Sequence, residues 1–308
     1  LLAITWHAAI QTVANVIPVG TFISITTWVT IVIAQVNNLS QIERQIMWSV
    51  APLKALRTAL ELPPRLIMAK EQIVIGADEP ITIEFRDVSF RYADGKIILR
   101  NLNLRIAPGE KVALIGESGS GKSTIGKLIL RYMDPTSGTV LVNGHDLRDL
   151  DLKAWRRRVA QIRQGTQILT ATLRENLLYG MSKEHRARLS ESDLWTFVRR
   201  FRIDFGERLK QGLDTKLGKN GEQISGGEAQ RIMIGAAVLR NPGFMVIDEA
   251  TSALDAESQA QVQAALYEAL KGGTGAILIA HRLSTTAGCD RIVMMRPATE
   301  DGDEPQVE

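Results

Sequence analysis

Cysteine is nearly absent from this 308-residue chain: Cys289 is the only one. One thiol excludes an internal disulfide and any metal site built from several cysteines, and Cys289 itself reads as a small, partly buried apolar residue. No charge of either sign dominates. Lys plus Arg number 37 against 34 for Asp plus Glu, a net +3, which gives no argument for a nucleic-acid partner. The clusters Arg156-Arg157-Arg158 and Arg199-Arg200 with Arg202 lack interleaved aromatics and read as solvated helix faces. The sequence shows no internal repeat and no charged leader region of a signal peptide.

The longest absence is at the N-terminus, where no Asp, Glu, Lys or Arg occurs from Leu1 to Ile42. A transmembrane helix needs about 20 mostly apolar residues. Residues 8–36 supply more, with Trp6 and Trp28 as candidate interface anchors. Pro18 and Gly20 interrupt the run, which membrane helices tolerate. The alternative is a buried soluble segment rich in Ile, Val and Thr; length without charge favours the membrane. Because the chain begins at Leu1, already in apolar sequence, it reads as a fragment or a processed chain.

Asn37-Asn38 breaks the apolar run, and Ser40 with Glu43 has the form of a capping box, so a second helix is expected from Gln41 with a kink at Pro52. Glu43, Arg44, Lys54, Arg57 and Glu61 make it too polar to face lipid on all sides. Lys54, Arg57, Arg65 and Lys70 suit a cytoplasmic exit. A linker over residues 76–80 leads to a second domain. There, alternating strands are expected over 81–85, 88–92, 97–99, 102–106 and 139–142, with turns at Asp94-Gly95, Pro108-Gly109 and Asn143-Gly144. Residues 152–210 read as mostly helical. The apolar runs 244–247 and 276–279 fit central parallel strands buried on both faces. The acidic tail, residues 300–308, reads as disordered.

The chemistry concentrates in residues 116–124, GESGSGKST, which follow the apolar run 111–115 and precede an amphipathic helix expected over 123–132. Every fixed position of the phosphate-loop pattern is present. Gly116, Gly119 and Gly121 let backbone N–H groups, with those of Ser118 and Thr124, turn toward phosphate oxygens. Lys122 can reach the outer phosphates, and the Ser123 hydroxyl can complete a magnesium shell. Asp248 ends an apolar strand and can orient the metal or its waters, and the adjacent Glu249 is placed to polarise an attacking water. His281 follows a second apolar strand and could hydrogen-bond a γ-phosphate. Ser225-Gly226-Gly227 opens the helix expected over 228–239 and forms a second anion-binding helix start. Two such starts, far apart in sequence, point to a nucleotide held between two surfaces.

Together these residues resemble the nucleotide-binding domain of ABC transporters over about residues 81–295. Residues 116–124 correspond to Walker A, 246–249 to Walker B, Ile224 through Glu228 to the signature LSGGQ, 252–255 to the D-loop and 280–285 to the switch histidine segment. Gln164 falls at the Q-loop glutamine, and Tyr92 at the aromatic that stacks on adenine. The sequence departs from the family at Ile224 for Leu, Glu228 for Gln, Gly165-Thr166 after the Q-loop glutamine and Ala236 for an Arg, and it lacks the usual Gly and Glu-x-Gly ending after Met295.

The resemblance implies an α/β P-loop NTPase fold, with an antiparallel β subdomain and a helical subdomain, preceded by transmembrane helices. The expected domains are residues 1–75, about two helices at the end of a transmembrane domain; 80–297, the nucleotide-binding domain; and a tail, 298–308. It implies ATP and Mg2+, the metal on Ser123, Gln164 and Asp248. It makes Glu249, His281, Lys122 and Gln164 catalytic, and it adds Asp255 to the nucleotide contacts. It further implies a membrane ATPase of exporter type, multi-pass, with its nucleotide domain on the cytoplasmic side and a second half-transporter, identical or not, as partner. The alternatives are a soluble ABC-type ATPase of repair or translation and a non-hydrolysing regulatory half. The transported substrate is not readable.

Overall fold

A computed structural model of the chain describes residues 2–61, 66–163, 168–218, 221–248, 256–280, 286, 288–298 and 306–307. They fall into two units, 1–64 and 65–308.

The first unit holds α1 (Leu2–Val13) and α2 (Val19–Glu61). The uncharged run is therefore not one helix. Asn15 turns the chain with φ 55°, and Pro18, which lacks an N–H, stands just ahead of α2, where its oxygen accepts from Thr21 N at 3.0 Å. Nor does a new helix start at Gln41, because α2 runs unbroken for 43 residues through Asn37-Asn38 and Ser40, with Pro52 inside it. Asn costs only about 0.7 kcal/mol in a helix interior, too little to break a long helix of good formers. One helix among the described residues is long and apolar enough to cross a membrane, over Val19–Thr58, and none of its apolar window is buried.

The second unit starts with β1 (Ile83–Arg91) and β2 (Ile97–Ile106), an antiparallel hairpin. Each merges two expected strands. The apparent breaks are irregularities in the pairing, where Asp87 and Asn101 take φ of 49° and 45°. Next come β3 (Lys111–Gly116), α3 (Lys122–Ile129), β4 (Ser137–Val142), β5 (His145–Asp146), α4 (Leu152–Arg158) and β6 (Val159–Ile162). α3 ends at Ile129, short of the expected end at residue 132, and Arg131 just beyond it is left-handed, φ 47°. β6 lies within the stretch read as helical; its four residues pair in parallel with β7, and that pairing, not its own sequence, makes them a strand. Short helices α5 (Leu173–Leu177), α6 (Lys183–Arg188) and α7 (Glu191–Arg200) follow, then α8 (Gly226–Leu239), β7 (Phe244–Asp248), α9 (Ala256–Leu270), β8 (Gly275–Ile279) and β9 (Arg291–Met295).

Two sheets result: antiparallel β2-β1-β4-β5 and parallel β6-β7-β8-β3-β9. The period-2 pleat of the parallel strands divides two cores. Val112, Leu114, Phe244, Val246, Ile277 and Ile279 pack with the antiparallel sheet and α3. Ala113, Met245, Ile247, Ala276 and Leu278 pack with residues of α5, α7, α8 and α9. This layering is the α/β arrangement with an antiparallel sheet and helical parts that the sequence implied. Near the C-terminus the described residues include Gln306, which is buried, and Val307, which bridges Met295.

Candidate nucleotide site

The phosphate loop leaves the C-terminal end of β3, which sits between β8 and β9. Gly116 has φ 143°, and a Cβ there would collide with the oxygen of Met295, its parallel partner in β9. Gly121, φ 96°, is the N-cap of α3, and a Cβ there would lie 2.6 Å from Leu99 Cδ2. Only glycine serves at either position. The oxygen of Gly121 accepts from the N–H groups of Thr124 at 2.9 Å and Ile125 at 3.1 Å, starting the helix. Ser118, Gly119 and Ser123 are exposed along the rim, while Ser120 and Thr124 are buried.

Lys122 is 4% exposed, and its Nζ donates to the oxygens of Gly116 at 2.8 Å and Glu117 at 2.7 Å and to Ser120 Oγ at 3.2 Å. The ammonium thus lies inside the loop, held by dipoles that a phosphate oxygen can replace.

Tyr92 stands at the end of the β1–β2 hairpin. Its hydroxyl is 3.4 Å from Thr124 Oγ1 and accepts from Lys127 Nζ at 3.2 Å. Phe90 meets its ring edge-on, with centroids 4.9 Å apart. Burial raises the phenol's pKa, but the bonds with Thr124 and Lys127 outweigh it, and the net value is lowered. Lys127 ties the aromatic to α3, a role its sequence spacing does not signal.

Asp248, half-buried, ends β7 level with Ile279 of β8. Since β8 separates β7 from β3, Asp248 is about 10 Å across the sheet from the base of the loop, two strand spacings. Gln164, Glu249, His281 and Asp255 lie outside the described residues. In sequence, Gln164 comes two residues after β6, Glu249 one after β7 and His281 two after β8. β3, β6, β7 and β8 belong to one parallel sheet, and open α/β sheets bind ligands at the C-terminal ends of such strands. Gln230, which sequence reasoning missed, is buried and donates to the oxygen of Arg163, one residue before Gln164.

Ser225 caps α8. Its hydroxyl accepts from Glu228 N at 3.2 Å, while Glu228 Oε2 accepts from Ser225 N at 2.7 Å, a closed capping box. The second carboxylate oxygen, Oε1, accepts from Arg208 Nη1 at 2.7 Å, and Arg208 Nη2 donates to the oxygen of Gln223. Burial raises the Glu228 pKa, yet the Ser225 N–H and Arg208 prevail and hold it below the usual carboxylate range. Gly227 lets α8 approach α9, for its Cβ would lie 2.8 Å from Ser258 Cβ. Among the described residues the hydrogen bonds of Ser225 run to its own helix start and not to the phosphate loop.

No group of three or more His, Cys, Asp and Glu among the described residues could hold a metal. Ser123 and Asp248 offer a hydroxyl and a carboxylate, hard oxygen donors too few to enclose a cation. That fits Mg2+, which keeps most of its shell for phosphate and water.

A profile described as ABC transporter matches residues 99–252. An ATP-dependent lipid A-core flippase of Syntrophus aciditrophicus (strain SB) is 36% identical over 296 residues, 96% of this chain and 48% of that protein. The protein of the same description from Escherichia coli (strain K12) is 36% identical over 304 residues, 98% and 50% of the two. The chain thus spans about half the length of the curated relatives it matches. A bacterial Atm1-family ABC exporter solved with ATP bound superposes with a TM-score of 0.69 at 28% identity, covering 91% of this chain and 48% of that one. With the family profile lying on the loop, the signature helix and the strand of Asp248, this chain belongs to the ABC transporter family and carries its ATP-binding module.

Proposed function

We propose that this chain is part of one half of an ABC exporter: residues 1–75 belong to its membrane domain, residues 80–297 bind and hydrolyse ATP, and 298–308 follow as a tail. The observation that carries the reading is the phosphate loop itself, closed by glycines that admit no side chain and filled by the Lys122 ammonium. The apolar, unburied surface of α2 supports a membrane location. The module then lies on the cytoplasmic side of a multi-pass protein.

In this reading Lys122 exchanges the oxygens of Gly116 and Glu117 for those of the β- and γ-phosphates. The N–H groups of the loop, Gly116 through Thr124, face the remaining oxygens, and Tyr92 stacks on the adenine. Mg2+, when bound through Ser123, Asp248 and Gln164, neutralises charge on the phosphates. Glu249 orients the water that attacks the γ-phosphorus, the bond to the β,γ-bridging oxygen breaks, and His281 and Lys122 stabilise the charge on the departing phosphoryl oxygens. Ser225, Gly226 and Gly227 close over the site of a second half, identical or not, with Asp255 at the junction. The N–H groups at the start of that helix would then face the phosphate of the partner's nucleotide.

The test is Glu249→Gln in the intact transporter. Steady-state hydrolysis is expected to fall at least a hundredfold while ATP binding stays within about threefold. Undiminished turnover in that variant would sink the assignment of Glu249.

A further inference from the structure

The main-chain oxygens of the phosphate loop are held from two sides. On the inner side, Lys122 Nζ takes those of Gly116 and Glu117. On the outer side, Gln306 Nε2 donates to the oxygens of Ser120 at 3.3 Å and Ile98 at 2.8 Å, while its Oε1 accepts from Arg100 N at 3.0 Å. Gln306 is 6% exposed and Ser120 fully buried. The carboxamide's donors and its acceptor are therefore all engaged with main chain, and the two bonds it donates are buried. The anchor for this side chain is β9: Arg296 N donates to the oxygen of Gln306 at 3.0 Å, and Val307 bridges Met295, the partner of Gly116. The oxygen of Ile98 also stands 3.1 Å from the place of a Cβ on Gly121. Gln306 thus joins β2 to the Ser120–Gly121 turn.

Under the function proposed above, on which this inference rests, Lys122 releases its two oxygens when phosphate arrives. Inner support is lost when the loop's N–H groups must stay aimed. The outer support does not pass through Lys122. We propose that Gln306 is a positioning residue for the phosphate loop, holding Ser120 and Gly121 in place while Lys122 exchanges main-chain oxygens for phosphate. It touches no substrate, so its loss is read in ATP affinity rather than in the chemistry.

The decisive variant is Gln306→Glu in the 308-residue chain. It keeps the size and the acceptor for Arg100 N–H, removes both donors, and sets a carboxylate against the oxygens of Ser120 and Ile98. Binding of MgATP is measured by calorimetry beside thermal unfolding. Val198→Ala, in the other core, is the comparison for a loss of stability alone. The Kd for MgATP is expected to rise about tenfold in Gln306→Glu, the effect of about one good hydrogen bond, and to stay at the parent's value in Val198→Ala. If Gln306→Glu does not fold, Gln306→Asn, which keeps the amide one methylene short of its partners, carries the same expectation at about fivefold. A folded Gln306 variant that binds within twofold of a binding parent overturns this inference alone. A parent that does not bind MgATP overturns the nucleotide reading and this inference with it.

Discussion

The fully buried guanidinium of Arg131 donates through Nη2 to the main-chain oxygen of Ile67 at 2.8 Å. Its Nε pairs with Asp134 Oδ1 at 3.1 Å, and its own oxygen accepts from Arg156 Nη2 at 3.0 Å. One end of α3 begins at the phosphate loop, and the other grips the segment that follows the N-terminal helices. Arg131→Met is expected to cost about 1.5–3 kcal/mol, because it removes the charge-assisted bonds of a buried guanidinium to the Ile67 oxygen and to Asp134. Chemical denaturation would measure it, and a cost under about 0.5 kcal/mol would show that the tie carries no load.

Glu228 stands where the family has Gln, and Arg208 answers its charge. The folded carboxyl titrates below its ordinary value, so its contribution to stability is complete above the unfolded value. It is lost as pH falls through the lower, folded one. Arg208→Gln should weaken this dependence. The denaturation midpoint of the variant, followed from about pH 7 to about pH 3, should fall less steeply than the parent's. Superimposable pH profiles would contradict the pairing.

Gly116→Ala places a methyl group against the Met295 oxygen at a φ that alanine rarely adopts. Relief requires β9 to move away from β3. The variant is expected to lose about 3 kcal/mol or more and its ATP binding with it. Parental affinity in a thermally unchanged Gly116→Ala protein would mean the two strands are not pressed together as described.

What could be read from the sequence was what is local. Gly116, Gly119, Gly121, Lys122 and Ser123 announce the loop because their spacing is itself the mechanism. The runs 244–247 and 276–279 announce buried strands because both faces are covered. β6 was invisible because four residues beside Arg156-Arg157-Arg158 become a strand only against β7. Asp87 and Asn101 disguised two long strands as four short ones, since a pairing irregularity looks like a turn until its partner is known. α2 hid its continuity behind Asn37-Asn38, where the breaker is weaker than the helix around it. Gln306 carries no signal at all: its partners Ile98 and Ser120 lie 208 and 186 positions earlier in the chain, in a stretch whose composition reads as unstructured.

The place of β3 between β8 and β9 also sets a timetable for synthesis. Both neighbours of the strand that launches the phosphate loop come from beyond residue 274, so β3 leaves the ribosome with its two edges bare. The antiparallel hairpin β1–β2 has its partner within a few residues and can close early. The nucleotide loop, complete in sequence by residue 124, waits for more than half of the chain to be made before it has a frame. A newborn chain halted short of β8 would carry every loop residue of the site and still have no loop to offer ATP.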